Sequence, residues 1–197
     1  MAFSPKDGEF LVKTARKAIE SHLSGKERAV PKVDEKFRKK VGVFVTLESY
    51  PKKELRGCIG YPYPTEPLIN ALTNAAVSAA AHDPRFPAVT EKEFARTVVE
   101  ITVLTEPKLI GGGKELAKKI IIGKHGLIIE YGPFSGLLLP QVATEYKWSV
   151  EEFLAETCWK AGLSPDMWLD KNARVFSFEG QIFAEESPDG KVVEKKI

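Results

Sequence analysis

Leu55-Arg56-Gly57-Cys58-Ile59-Gly60 sets a thiol between two glycines and beside an arginine, just ahead of a helical stretch. Read as a strand, its side chains alternate, so Arg56 and Cys58 share one face while Leu55 and Ile59 point the other way. Same-face neighbours lie about 6–7 Å apart. A guanidinium at that range, together with the N-terminus of a following helix, favours thiolate over thiol. The glycines remove side-chain cover and let another backbone or a ligand approach closely. The competing reading is a bulged core strand carrying a small buried cysteine, a common place for a free thiol.

Working outward, Val41, Val43, Val45 and Leu47 alternate with Gly42, Phe44, Thr46 and Glu48, the pattern of a strand. Ser49-Tyr50-Pro51-Lys52-Lys53 reads as the turn that brings residues 55–60 back as its partner. Upstream, Ser4-Pro5-Lys6-Asp7 has the N-cap, first-turn proline and acidic third residue of a helix start, and Gly25 its stop. His22 falls on the apolar stripe of that helix and is expected at the edge of the core. Residues 26–40 read as an exposed basic connection.

Downstream, Tyr61-Pro62-Tyr63-Pro64 is a stiff aromatic segment beside the thiol, and Thr65 is expected to cap an alanine-rich helix over 66–81. His82-Asp83-Pro84-Arg85-Phe86-Pro87 ends it. A short helix near 91–95 and a strand at 97–105 follow. Gly111-Gly112-Gly113 reads as a flexible link; the Lys114-Glu115 after it lacks the spacing of a phosphate-binding loop. Strands are expected near 119–122, 127–131 and 136–139, a helix over 141–148, a capped helix from Ser149 to Ala161, and a last strand over 173–184 before a polar tail. Cys158, inside the capped helix, reads as a packing residue. Each half thus runs strand, strand, helix, strand. The class is α+β, two lobes of antiparallel sheet with packed helices, divided into 1–106 and 107–197. The junctions Gly57–Tyr61 and Leu139–Gln141 are expected to face each other across a cleft between the lobes.

Composition narrows the function classes. The 197 residues are 43% hydrophobic and 28% charged, ordinary for a globular protein, and no apolar run approaches the length of a membrane span. The opening residues lack the features of a signal peptide, which leads us to expect a cytoplasmic protein. Two cysteines give neither a disulfide framework nor a metal-ligand spacing, and with only three histidines neither a metal nor a cofactor is expected. Glutamine occurs only at 141 and 181, and asparagine only at 70, 74 and 172. That scarcity, with abundant Lys and Glu, indicates a thermophile. Residues 1–56 carry 14 Lys/Arg against 8 Asp/Glu. Such a basic third is a conceivable nucleic-acid surface, with Lys39 and Lys40 its candidates, but no recognised nucleic-acid motif accompanies it.

The LRGCIG segment with Asp83-Pro84-Arg85-Phe86-Pro87 resembles the AMMECR family, named after a human syndrome's candidate gene region. Gly123-Lys124-His125-Gly126-Leu127, Leu138-Leu139-Pro140-Gln141-Val142-Ala143, Trp148 and the Lys160-Ala161-Gly162-Leu163 helix end extend the resemblance over nearly the whole chain, and it looks like an archaeal member. The resemblance implies a two-lobed α+β fold with the RGCIG segment near the cleft. It also implies possible association with Memo-type or radical-SAM proteins, or a nucleic-acid or translation role, but no named reaction. His82 lies outside the family pattern.

The candidate site is accordingly Cys58 as nucleophile with His82 as a weaker base, and Arg56, Gly57, Ile59, Gly60, Tyr61, Arg85, Gln141 and Glu145 as binding residues. Tyr61, Tyr63 and the Arg56 and Arg85 guanidiniums suit an anionic or planar group. The leading expectation is a site for a small molecule, peptide or modified side chain, with thiol catalysis a further possibility. A non-catalytic adaptor is the alternative, and nucleic-acid binding ranks third.

Overall fold

The computed structural model describes residues 3–26, 33–63 and 65–196. Residues 27–32 of the expected connection and Pro64 of the aromatic segment lie outside them. The chain forms two compact units, one running up to Leu104 and including Gln181–Lys196, the other Thr105–Gly180. The class is α+β, helices with antiparallel strands, as expected. The expected second lobe, 107–197, differs in that its last segment clusters with the first unit.

In the first unit, α1 (Pro5–Leu23) starts on the anticipated box, with Ser4 and Asp7 bonding each other's backbone N–H groups. β1 (Val43–Ser49) pairs antiparallel with β2 (Leu55–Tyr61) on one side and β3 (Thr97–Leu104) on the other. Val43, Val45 and Leu47 point into a core shared with α1 and with α2 (Leu68–Ala81). The alanines of α2 let its backbone lie against β2. A Cβ on Gly57 would stand 2.2 Å from the Ala79 carbonyl oxygen, so only glycine fits there. The glycine thus admits another backbone. α3 (Glu91–Phe94) carries its own capping box from Thr90.

Several elements differ from the sequence reading. Pro67, not Thr65, precedes α2, and the first helical N–H, that of Leu68, is satisfied by the Lys39 carbonyl at 2.9 Å instead of by a side-chain cap. Within the basic connection, Glu35–Arg38 form a 3₁₀ turn that buries Phe37 against Phe3 and Phe10. His22 is exposed, because α1 ends one turn past the core and carries its ring beyond the apolar face. β3 does not alternate: Glu100 and Thr102 are buried along with Val99 and Ile101.

In the second unit, β4 (Lys108–Gly111) forms just ahead of the expected link and takes in its first glycine, and Gly112 packs against the carbonyls of Asp170 and Ala173. Residues 119–122 are not a strand. A 3₁₀ helix over Lys114–Lys119 runs into a turn in which the Lys124 and His125 N–H groups return to the Ile121 carbonyl, so the isoleucines pack or face outward without pairing. β5 (His125–Tyr131) pairs with β6 (Phe134–Leu138), α4 (Pro140–Glu145) and α5 (Val150–Lys160) follow, and the first half of β7 (Arg174–Glu185) returns alongside β5. The anticipated order of strand, strand, helix, strand therefore begins at β5. Cys158 is fully buried in this unit's core with Phe153, Leu154 and Trp168, a packing residue.

The second half of β7 turns through Ser187–Gly190 into β8 (Val192–Lys195), a strand in what reads as a polar tail. It also delivers Glu185 to the first unit's interior. There the carboxylate receives Nε and Nη2 of Arg16, both at 2.5 Å, and the Val99 N–H at 2.9 Å. Arg16 also donates to the Thr97 carbonyl and lies over the Phe94 ring. Removing one partner of a buried pair leaves an uncompensated charge, so Glu185→Ala is expected to destabilise the protein by about 3–5 kcal/mol. The joint replacement Arg16→Met with Glu185→Leu is expected to cost less than Glu185→Ala alone. Chemical denaturation of the three proteins measures both.

Candidate functional site

β2 is the terminal strand of its sheet. Register sets Cys58 opposite Thr46, and Thr46 opposite Glu100, so thiol, hydroxyl and carboxylate form a row across three strands on the face away from the helices. The Thr46 hydroxyl donates to the Cys58 Sγ at 3.4 Å. Lys195 Nζ reaches Glu100 at 2.5 Å. One row along, Phe44 lies opposite Gly60 and Thr102, and its ring occupies the space that a side chain on Gly60 would need.

The outward backbone of Cys58 is bound by the turn that follows α2. Asp83, nearly fully buried, accepts the Cys58 N–H at 2.8 Å. The same carboxylate accepts Nε and Nη2 of Arg85 at 2.9 and 2.6 Å, and Arg85 Nη2 also donates to the Cys58 carbonyl at 3.2 Å. An Asx turn, in which Asp83 accepts the Arg85 N–H, shapes the loop. Arg85 holds the Asp83 carboxyl well below the ordinary carboxylate range, with the backbone bonds adding to the effect. The sheet edge is thereby closed at Cys58 against pairing with another strand.

Arg56 differs from its expected role. Its Nε and Nη2 engage Glu93, and Nη2 donates to the Pro87 carbonyl at 2.7 Å. The pairing lowers the Glu93 carboxyl and commits Nε and Nη2 of the guanidinium. The neighbouring helix end is also the reverse of the one anticipated, since Gly57 abuts the Ala79 carbonyl near the C-terminus of α2, where the dipole disfavours an anion. Burial pushes the Cys58 thiol up, opposed by the Thr46 hydroxyl and Arg85 and reinforced by Asp83 and Glu100. The net direction for the Cys58 thiol is therefore upward, opposite to the lowering that the hexapeptide suggests.

His82 caps α2 and is exposed, with its ring 6.3 Å from that of His22. It makes no hydrogen bond to Cys58 among the described residues; the next residue, Asp83, does, and to the backbone. Ile59 packs on the core side of β2, as the alternation requires. Tyr61 and Tyr63 present exposed rings. Gln141, in α4 of the second unit, has a buried side-chain oxygen without a partner, and Glu145, at the end of that helix, is exposed. Arg56 and Arg85 both stand over the Phe86 ring, at 5.7 and 5.5 Å. Arg56 falls at a register shift, where Leu47 faces Gly57 and Glu48 faces Leu55, and two buried polar atoms of the first unit have no partner: Arg56 Nη1 and Thr102 Oγ1. Among the described residues no three His, Cys, Asp or Glu side chains gather as metal ligands. Sequence reading left Asp83, Thr46, Glu93 and Glu100 out of the candidate site. Of these only Asp83 carried a local signal, the Asp-Pro-Arg turn after a helix.

An α+β fold whose Arg-Gly-Cys-Ile-Gly strand is clasped by an Asp-Pro-Arg turn defines the class. The chain belongs to the AMMECR1 family, whose model matches residues 12–183. It is 54% identical over 194 residues to a protein of Methanocaldococcus jannaschii, covering 98% of this chain and 96% of that one. It is 53% identical over 196 residues to a Pyrococcus furiosus protein, covering 96% and 93%. A crystal structure of an uncharacterised Pyrococcus horikoshii protein matches with a TM-score of 0.92 at 52% identity, covering 96% of this chain and 97% of that one. These relatives are archaeal and their hosts include thermophiles, in line with the composition. No helix among the described residues is long and apolar enough to cross a membrane.

The Asp83 clasp has a pH signature. The folded carboxyl lies below its unfolded value of about 3.9, so its stabilisation is fully present above that pH and is lost as pH falls towards the folded value. Asp83→Asn is expected to cost about 1–3 kcal/mol at neutral pH. The gap from wild type should narrow below about pH 4. Denaturant melts of both proteins across that range measure the gap, and one that stays constant would contradict the assignment.

Proposed function

We propose that the Cys58 face of the β2–β1–β3 sheet binds an uncharged hydrogen-bonding group, such as a peptide amide or a small molecule or modified side chain of that kind. In this reading Cys58 acts as a contact and not as a thiolate. The observation that carries it is Arg56 Nη1, a buried guanidinium donor left without an acceptor two residues along β2 from the thiol; two strands away the Thr102 hydroxyl is likewise without a partner. An orphaned buried donor costs about 1–3 kcal/mol, a cost a ligand carbonyl would relieve. Three cations around this strand are compensated internally, Arg56 by Glu93, Arg85 by Asp83 and Lys195 by Glu100. That leaves little net field for an anion, while the Phe86 ring and the tyrosines offer planar surface.

Alkylation by iodoacetamide across pH, in a Cys158→Ala background, is expected to report a Cys58 thiol titrating above the ordinary value of about 8.5. Titration with blocked dipeptide amides is expected to move the backbone amide signals of Cys58 and Thr102, with affinity falling about tenfold or more in Arg56→Lys, which lacks Nη1. A thiol titrating well below the ordinary value would instead favour covalent chemistry and overturn this reading.

A further inference from the structure

Far along α1 from its capping box, the first unit holds a cavity of about 470 Å³ that includes none of the Cys58 residues. Its apolar lining is Leu23, Phe94, Ala95 and Pro188, and its polar lining includes Arg16, Glu20, Glu91 and Asp189. The volume lies in the range of small-molecule sites. We propose that this cavity binds an organic cation: an ammonium or guanidinium group on a short apolar chain.

The charges decide the sign of the ligand. Arg16 is the one cationic side chain in the lining, and one turn before Glu20 it would ordinarily pair with it. It cannot, because its guanidinium is turned inward onto Glu185, the Thr97 carbonyl and the Phe94 ring. The Glu185 carboxylate is in turn saturated by Arg16 and the Val99 N–H. The buried pair is neutral and unavailable, so it neither repels a cation nor attracts an anion. Glu20, Glu91 and Asp189 carry no ion pair among the described residues, and they come from three separate elements: α1, the first turn of α3 and the β7–β8 turn. Lys13 on α1 feels Asp189 but is bonded to Glu9 at 2.9 Å, so the convergence of three carboxylates on one apolar-floored cavity leaves a net negative field over a surface that accommodates methylene groups. An anion would meet repulsion on three sides, and a neutral apolar ligand would leave the field unmatched. The ligand's ammonium would sit among the rim carboxylates with its alkyl chain over Leu23 and Pro188. A free diamine and a lysine side chain of a peptide share this chemistry.

The test uses the full chain and two probes, putrescine and Nα-acetyl-lysine methylamide, followed by backbone amide shifts at low ionic strength. Expected is saturable binding with perturbations centred on Leu23, Phe94, Ala95 and Asp189. The affinity should drop about tenfold or more in the Glu20→Gln, Glu91→Gln, Asp189→Asn triple variant. All three residues are exposed, so the variant keeps its fold, which its thermal melt checks. Binding of putrescine alone points to a free amine, and equal binding of the lysine derivative to a peptide; either supports the site. Equal binding of butanol, unchanged affinity in the triple variant, or shifts scattered over the surface would overturn it. Cys58→Ala is expected to leave this binding unchanged, so failure here and failure of the peptide-amide reading are read separately.

Discussion

One buried carboxylate, that of Asp83, joins the end of α2 to the outer edge of the sheet. It takes the Cys58 N–H and the Arg85 guanidinium together, and Arg85 then closes onto the Cys58 carbonyl. An edge strand has a row of backbone groups with no partner of their own. Here the two groups of the central residue are satisfied by side chains from a turn that can reach them only because α2 lies close to β2. That closeness depends on Gly57 and on the alanines facing it. The Arg-Gly-Cys-Ile-Gly and Asp-Pro-Arg blocks are therefore two halves of one contact, which accounts physically for their joint appearance in the chain.

The contact also determines the character of the thiol. Burial and two carboxylates act on Cys58 in one direction, and a single hydroxyl and one guanidinium oppose them. The neighbouring arginine, which in isolation suggests an activated nucleophile, is turned aside to Glu93. Arg16 undergoes the same diversion on the other side of the unit, where Glu185 draws it inward and Glu20 is left without its natural partner. In both places the distribution of charge on the surface follows from where a buried pair has formed.

Local pattern carried much of the fold. The Ser4 and Ser149 capping boxes, the short helix after Thr90, the alternation in β1 and the turn before β2 all read correctly, because each depends on residues within a few positions of one another. The readings that failed were those in which a distant group replaced the local one. Lys39 satisfies the start of α2 in place of Thr65, Phe37 is drawn inward by Phe3 and Phe10, and the polar tail becomes a strand because β7 offers it an edge. The 119–122 segment shows the reverse case, an apolar run used for packing and a turn with no strand partner.

For the candidate site the division is sharper. By itself the sequence determined the family, the α+β class, and the strand that carries Cys58 with its facing direction, since alternation and turn chemistry are properties of neighbouring residues. Only the tertiary structure decided which groups meet: that Asp83 and not His82 reaches Cys58, that Thr46 and Glu100 stand in its row, and that Glu185 enters from the far end of the chain to hold Arg16. These pairings join residues separated by 12 to 169 positions, and hydrogen bonds of that span leave no periodic trace in the chain that makes them.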